Sequence, residues 1–210
     1  MTVPRLYNYD LDEDCYRVRL IAGCLGVPLT LHGIDMFPGR EHLTPEMLAL
    51  NPQGRLPVLQ DGDLVLVQPA AIVLHLAETG ARDHALLPAD AVTRARMMDW
   101  IAFAVRDLGV AAQARLCSML GAPGDLRALQ AAARRALRIM DDHLTLRGIA
   151  GEGYVAGPAP TLADLFLFPA FALSRDYGID HDEFPALRLW ARRVRTIPGF
   201  RVMPGIPDYH

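Results

Sequence analysis

The chain has 210 residues, 51% of them hydrophobic and 21% charged, with a formal net charge of −3. That balance is ordinary for a soluble globular protein and makes no electrostatic case for nucleic acid or an anionic membrane. No apolar run approaches the roughly 20 residues needed to span a bilayer, and three scattered cysteines argue against a disulfide or zinc framework and fit a reducing, cytoplasmic setting.

The pattern from Val3 to Tyr9 predicts a short strand, with Leu6 and Asn8 on one face and Tyr7 and Tyr9 on the other. Asp10–Asp14 is acidic and is expected to be a loop. Val18, Leu20, Ile21 and Leu25 recur at helical spacing, so Tyr16–Leu25 is expected to be the first helix, ended by Gly26. A second strand is expected over Val27–His32, then a loop over Phe37–His42. Thr44 should cap a short helix that begins at Pro45.

Asn51–Glu78 carries the densest set of signals. Asn51-Pro52-Gln53-Gly54 is a turn, because Asn and Gly tolerate positive φ and Pro pre-sets φ. Asp61-Gly62 marks a hairpin between strands expected at Leu56–Gln60 and Leu64–Val67. Pro57 must lie at the start or the edge of its strand, since it cannot donate to a ladder. Pro69 suits the first position of a helix over Ala70–Glu78.

These residues resemble the glutathione transferase family. Asn51-Pro52-Gln53-Gly54-Arg55-Leu56-Pro57-Val58-Leu59, the Asp61-Gly62 hairpin and Gln68-Pro69-Ala70-Ala71-Ile72 follow the order of its thioredoxin-like domain. The resemblance implies a cis Leu56–Pro57 bond that offers the Leu56 main chain to glutathione. It implies a βαβαββα domain over 1–79, a linker over 80–89 and an all-helical bundle domain over 90–210.

Beyond the linker the pattern is helical throughout. One long helix is expected over Ala91–Leu120 and another over Asp125–Leu146, with Arg127, Arg134 and Arg138 on a cationic face. Gly148–Pro160 is expected to be a loop. Thr161-Leu162-Ala163-Asp164 is a capping signal before Leu165–Phe168, a run apolar on every side and hence interior. A last helix is expected to start at Phe184-Pro185 and end near Pro198.

The family's chemistry is ionisation of the glutathione thiol, whose free pKa is about 8.5. The resemblance is to the zeta-like bacterial branch, and there its serine pair falls on Asp12 and Glu13. Asp12 in place of a hydroxyl would oppose a thiolate. Cys15, Asp12 and Tyr9 are the candidate catalytic residues. Cys15 stands at a helix start, where the dipole lowers a thiol pKa, but it equally suits a small core position. Asp12 suits a helix cap. Tyr7 and Tyr9 suit a cleft wall or the core.

The resemblance further implies glutathione contacts at Leu56, Pro57, Gln68, Pro69, Arg55, His42 and Arg40. Pro69 replaces a serine that would hold the γ-glutamyl carboxylate, so weakened binding is expected. Cys24 and Cys117 are expected in the core, Asp164 is expected to be a buried cap, and His75 and His143 stand without ligand spacing, so no metal is expected. The implied function is a cytoplasmic transferase, with no nucleic-acid or membrane partner, that joins glutathione to a small apolar electrophile through a stabilised thiolate. Two alternatives stand beside it: a binding protein of the same fold with little turnover, and a maleyl-type cis–trans isomerase. A two-fold homodimer is also implied.

Overall fold

A computed structural model describes residues 3–80, 86–203 and 206. The chain divides into two compact units, Met1–His84 with Arg201–Pro204 and Ala85–Phe200 with Gly205–His210. The segment Arg201–Met203, expected with the helical domain, belongs to the first unit. There the Tyr16 hydroxyl donates to the Arg201 carbonyl at 2.8 Å. Part of the expected linker, residues 81–85, lies outside the described residues.

The first unit is thioredoxin-like. Its elements are β1 (Arg5–Asn8), α1 (Glu13–Leu25), β2 (Thr30–Gly33), α2 (Pro45–Leu50), β3 (Val58–Asp61), β4 (Leu64–Leu66) and α3 (Pro69–Thr79). The four-stranded sheet has the order β2-β1-β3-β4. β1 and β2 are parallel, and the other two pairings are antiparallel. Leu6 and Asn8 are buried while Tyr7 is half-buried, the alternation expected of a strand with one covered face.

Helix α1 starts earlier than its apolar periodicity suggests. Asp12, within the expected loop and suited to a cap, is its N-cap, and the Cys15 N–H donates to Asp12 Oδ1 at 2.7 Å. The acidic run is therefore the first turn of the helix, where carboxylates meet the positive end of the dipole. Arg17 is buried and pairs with Glu13 at 2.8 Å and with Asp14. Gly26 at φ 67° ends α1. β2 is shorter and later than expected, because Val27–Leu29 leads in from the helix without pairing. The peptide bonds Leu56–Pro57 and Phe37–Pro38 are both cis.

The second unit is helical: α4 (Ala91–Arg106), α5 (Gly109–Leu120), α6 (Leu126–Ile149), α7 (Leu162–Ala172) and α8 (Pro185–Arg195). Single-turn helices at Ser174–Tyr177 and His181–Glu183 join α7 to α8. The expected long helix over Ala91–Leu120 is two, broken at Asp107–Leu108. α6 runs three residues past the expected end, with Gly148 inside its last turn.

Helix α7 is buried at every residue, as its uniform apolarity requires. Asp164, fully buried, accepts from the Thr161 N–H (2.9 Å) and hydroxyl (3.1 Å), the Val155 N–H (2.9 Å) and the Trp190 indole N–H (2.9 Å). Asp141 of α6 caps α8 from outside that helix, accepting the Leu187 N–H at 2.9 Å. Two residues of the cationic face of α6 are tied down as well: Arg134 pairs with Glu183 at 2.9 Å, and Arg138 donates to the Glu183 carbonyl at 2.8 Å. Among the described residues, no helix is long and apolar enough to cross a membrane, and no group of three His, Cys, Asp or Glu is placed to hold a metal ion.

Candidate functional site

The site is built where three segments of the first unit meet: the start of α1, the turn before β3 and the start of α3. Asn51 is buried and organises the turn. Its side-chain amide donates to the Arg55 carbonyl at 2.8 Å, and its Oδ1 accepts the Gln53 N–H at 3.1 Å. The chain is thereby held so that Leu56 and Pro57 run into β3 with their side chains buried. Among the described residues, no hydrogen bond takes the N–H or C=O of Leu56.

Helix α3 presents its first turn beside this backbone. Gln68 is the N-cap, with no side-chain cap bond, and Pro69 is the first helical residue. The first backbone bond of the helix runs from the Ile72 N–H to the Gln68 carbonyl, so the N–H groups of Ala70 and Ala71 have no partner within the helix. The Gln68 amide donates to Gln53 Oε1 at 3.3 Å, which ties this helix start to the turn before Leu56.

Cys15 is placed otherwise than its position in the sequence suggests. It is fully buried in a cluster with Ile34, Met47, Leu56 and Val58, with Tyr9 packed against it. The Tyr9 N–H donates to its Sγ at 3.4 Å. The expected lowering of the thiol does not occur: burial pushes its pKa well up, and the Asp12 charge adds to the rise. Buried apolar surroundings outweigh the helix dipole here. Cys15 forms part of the floor under Leu56. Iodoacetamide should therefore modify it last of the three cysteines under native conditions, as peptide mass spectrometry would show. Early modification of Cys15 would contradict this placement.

The remaining cysteines are half-buried, not core. Burial pushes the Cys24 thiol up to about 12. Arg55 and Arg40 are exposed, and Arg40 sits in the left-handed region at φ 55°. His42 is half-buried next to Phe37, and burial, followed by the Arg40 charge, lowers its pKa. It therefore carries less positive charge at neutral pH than a solvated histidine. His75 is not alone: its Nε2 lies 2.9 Å from Asp61 Oδ2. His143 contacts the Val155 carbonyl at 2.8 Å, beside Trp100. Sequence reasoning missed Asn51 as the organiser of the turn, although an Asn followed by Pro and Gly signals such a role.

The N-terminal domain family of glutathione S-transferases matches residues 6–83, and the C-terminal domain family matches residues 92–193. Glutathione S-transferase 1 of Dianthus caryophyllus is 33% identical over 88% of this chain and 83% of its own. Maleylacetoacetate isomerase of Pseudomonas aeruginosa is 30% identical over 94% of this chain and 93% of its own. A crystal structure described as a possible glutathione S-transferase from Rhodopseudomonas palustris superposes with a TM-score of 0.86 at 28% identity, over 98% of this chain and all of the other.

Proposed function

Because the chain belongs to the glutathione S-transferase family, we propose that it binds glutathione along Leu56 and transfers it to a small electrophile with an apolar body. The observation that carries this reading is the unpaired Leu56 main chain beside the open first turn of α3. An extended peptide adds to such an edge through main-chain hydrogen bonds. The middle residue of the tripeptide pairs with Leu56. The γ-glutamyl carboxylate takes the free N–H groups at the start of α3, a natural anion site, with the Gln68 amide at its side. Arg40, His42 and Arg55 serve the glycyl carboxylate. Titration calorimetry with glutathione, together with a chlorodinitrobenzene conjugation assay, tests the proposal; heat without turnover would favour a binding protein of the same fold.

Pro69 removes one N–H and a hydroxyl from the carboxylate's reach. Pro69→Ser should tighten glutathione binding by about tenfold to a hundredfold, the value of one hydrogen bond to a charged group at roughly 1.5–3 kcal/mol. An unchanged dissociation constant would place the carboxylate elsewhere.

Asp12 holds the first turn of α1 with its own negative charge, which opposes a thiolate nearby. Asp12→Ser keeps an acceptor for the Cys15 N–H and removes the charge. Conjugation at pH 6.5 should then rise as the apparent pKa of the bound thiol falls. A superimposable pH–rate profile would take Asp12 out of the sulfur's environment. That charge and Pro69 are what favour the low-turnover alternative. The maleyl-type isomerisation named for the Pseudomonas relative remains a further reading, and a homodimer in solution accompanies all three.

A further inference from the structure

A cavity of about 460 Å³ lies within the first unit, where Arg201–Met203 meets α1 and the entry to β2. That volume falls inside the ~300–1,000 Å³ range of small-molecule sites. None of the residues assigned above to glutathione or to its thiol lines it.

The walls are mostly apolar: Ala22 of α1, Val27, Pro28 and Leu29 ahead of β2, and Val202 and Met203. Two large apolar side chains of the lining stay open to solvent, Leu31 at 49% and Val202 at 55%. Exposed apolar surface gathered around a hollow and edged by polar groups is a ligand-binding pattern, because a ligand removes that surface from water.

The charged groups are few and unbalanced. Asp10, Arg19 and Arg201 are the charged residues of the lining, one acid against two bases. Asp10 is already engaged: it takes the Arg19 guanidinium at 2.6 Å and the Asn8 amide N–H at 2.9 Å. The Arg19 fork closes a second bond on the Asp10 carbonyl at 2.8 Å. Arg201 is anchored by its main chain, whose carbonyl accepts the hydroxyl of buried Tyr16 at 2.8 Å, so its side chain takes no part in that bond. The Arg201 charge acts on Cys24, the chain neighbour of Gly23 in the wall, which places the guanidinium close to that turn of α1. Among the described residues, no carboxylate pairs with Arg201. The cavity therefore sets one uncompensated cation against an apolar wall.

We propose that this cavity is a second ligand site, for a small molecule with one carboxylate on an apolar body, an aryl or short alkyl acid. The carboxylate takes the Arg201 guanidinium, whose planar fork matches it with two parallel N–H donors. The apolar body covers Leu31 and Val202. A cationic ligand is disfavoured by both arginines. The site does not depend on the glutathione reading.

The test titrates the whole protein with 3-phenylpropionate, 3-phenylpropionamide and 3-phenylpropylammonium, which share one apolar body and differ in charge. The carboxylate should bind about fivefold more tightly than the amide, the value of an ion pair partly in water, and the ammonium should give no saturable heat. Arg201→Gln leaves the Tyr16 bond to the main chain intact and should erase the preference for the carboxylate. Arg201→Lys should keep part of it. Leu31→Gln should weaken carboxylate and amide alike. Saturating glutathione should leave the 3-phenylpropionate constant unchanged. No saturable heat with 3-phenylpropionate, equal affinity for anion and cation, an unchanged preference in Arg201→Gln, or displacement by glutathione would each overturn the proposal. Glutathione titrated alone keeps the two readings apart. Phenylpropionate binding without glutathione binding upholds the cavity and sinks the transferase reading, and the reverse result sinks the cavity alone.

Discussion

Asp164→Ala should lower the melting temperature by about 10 °C, because one deletion strands four buried donors at once. Each buried donor left unpaired costs on the order of 1–3 kcal/mol, and donors sharing one acceptor do not add in full. A total of about 3–5 kcal/mol is the expected loss. The four donors come from the α7 cap, the loop at Val155 and the indole of Trp190 on α8, so the carboxylate knots three stretches of chain. Burial pushes its pKa up, and the same four bonds pull it down. Asp164→Asn retains one acceptor oxygen and should fall between wild type and alanine in a thermal melt. A loss in Asp164→Ala below about 1 kcal/mol would mean that water replaces the carboxylate.

Mild acid should loosen the second unit through His181. The ring is fully buried, its Nε2–H donates to the Phe171 carbonyl at 2.9 Å, and it lies against the Phe171 ring. Its pKa is pushed down to about 4, first by burial and then by the Arg175 charge. Arg188 acts in the same direction, whereas Asp180 and the Phe171 carbonyl act against it. An unfolded histidine titrates near 6.5. The folded state therefore refuses a proton that the unfolded chain accepts. The contribution is whole above about pH 6.5 and is lost as the pH falls through 4, a swing of roughly 3 kcal/mol at 1.36 kcal/mol per pH unit. Melting temperatures at pH 7, 6, 5 and 4 should trace that slope, and His181→Phe should flatten it between pH 6.5 and 5. Glu183, lowered by its bond to Arg134, adds its own loss only at the acid end of the range. A slope unchanged in His181→Phe would assign the effect to other groups.

What could be read from the sequence was what local chemistry decides. Gly26, Thr44, Pro69 and the Thr161–Asp164 box each announce a helix end by a backbone need, and each stands where that need places it. The run Leu165–Phe168 announced burial because no polar face was left to expose. The break at Asp107–Leu108 carried no such mark, since the cap of α5 is Leu108, with no side-chain cap bond. Cys15 was illegible for a different reason. Its place at a helix start suggested a reactive thiol, while its burial is set by Ile34, Met47 and Val58, distant in the chain. The cap of α8 by Asp141, 46 residues away, is likewise a tertiary fact that no local pattern encodes.

The acceptor that opens α1 has a wider meaning. The backbone asks position 12 only for an oxygen, and a hydroxyl, an amide or a carboxylate would each satisfy it. The scaffold's demand and the charge that meets it are thus separable at that spot. A lineage could swap one oxygen-bearing residue for another there, removing or restoring a negative charge at the helix start without giving up the cap.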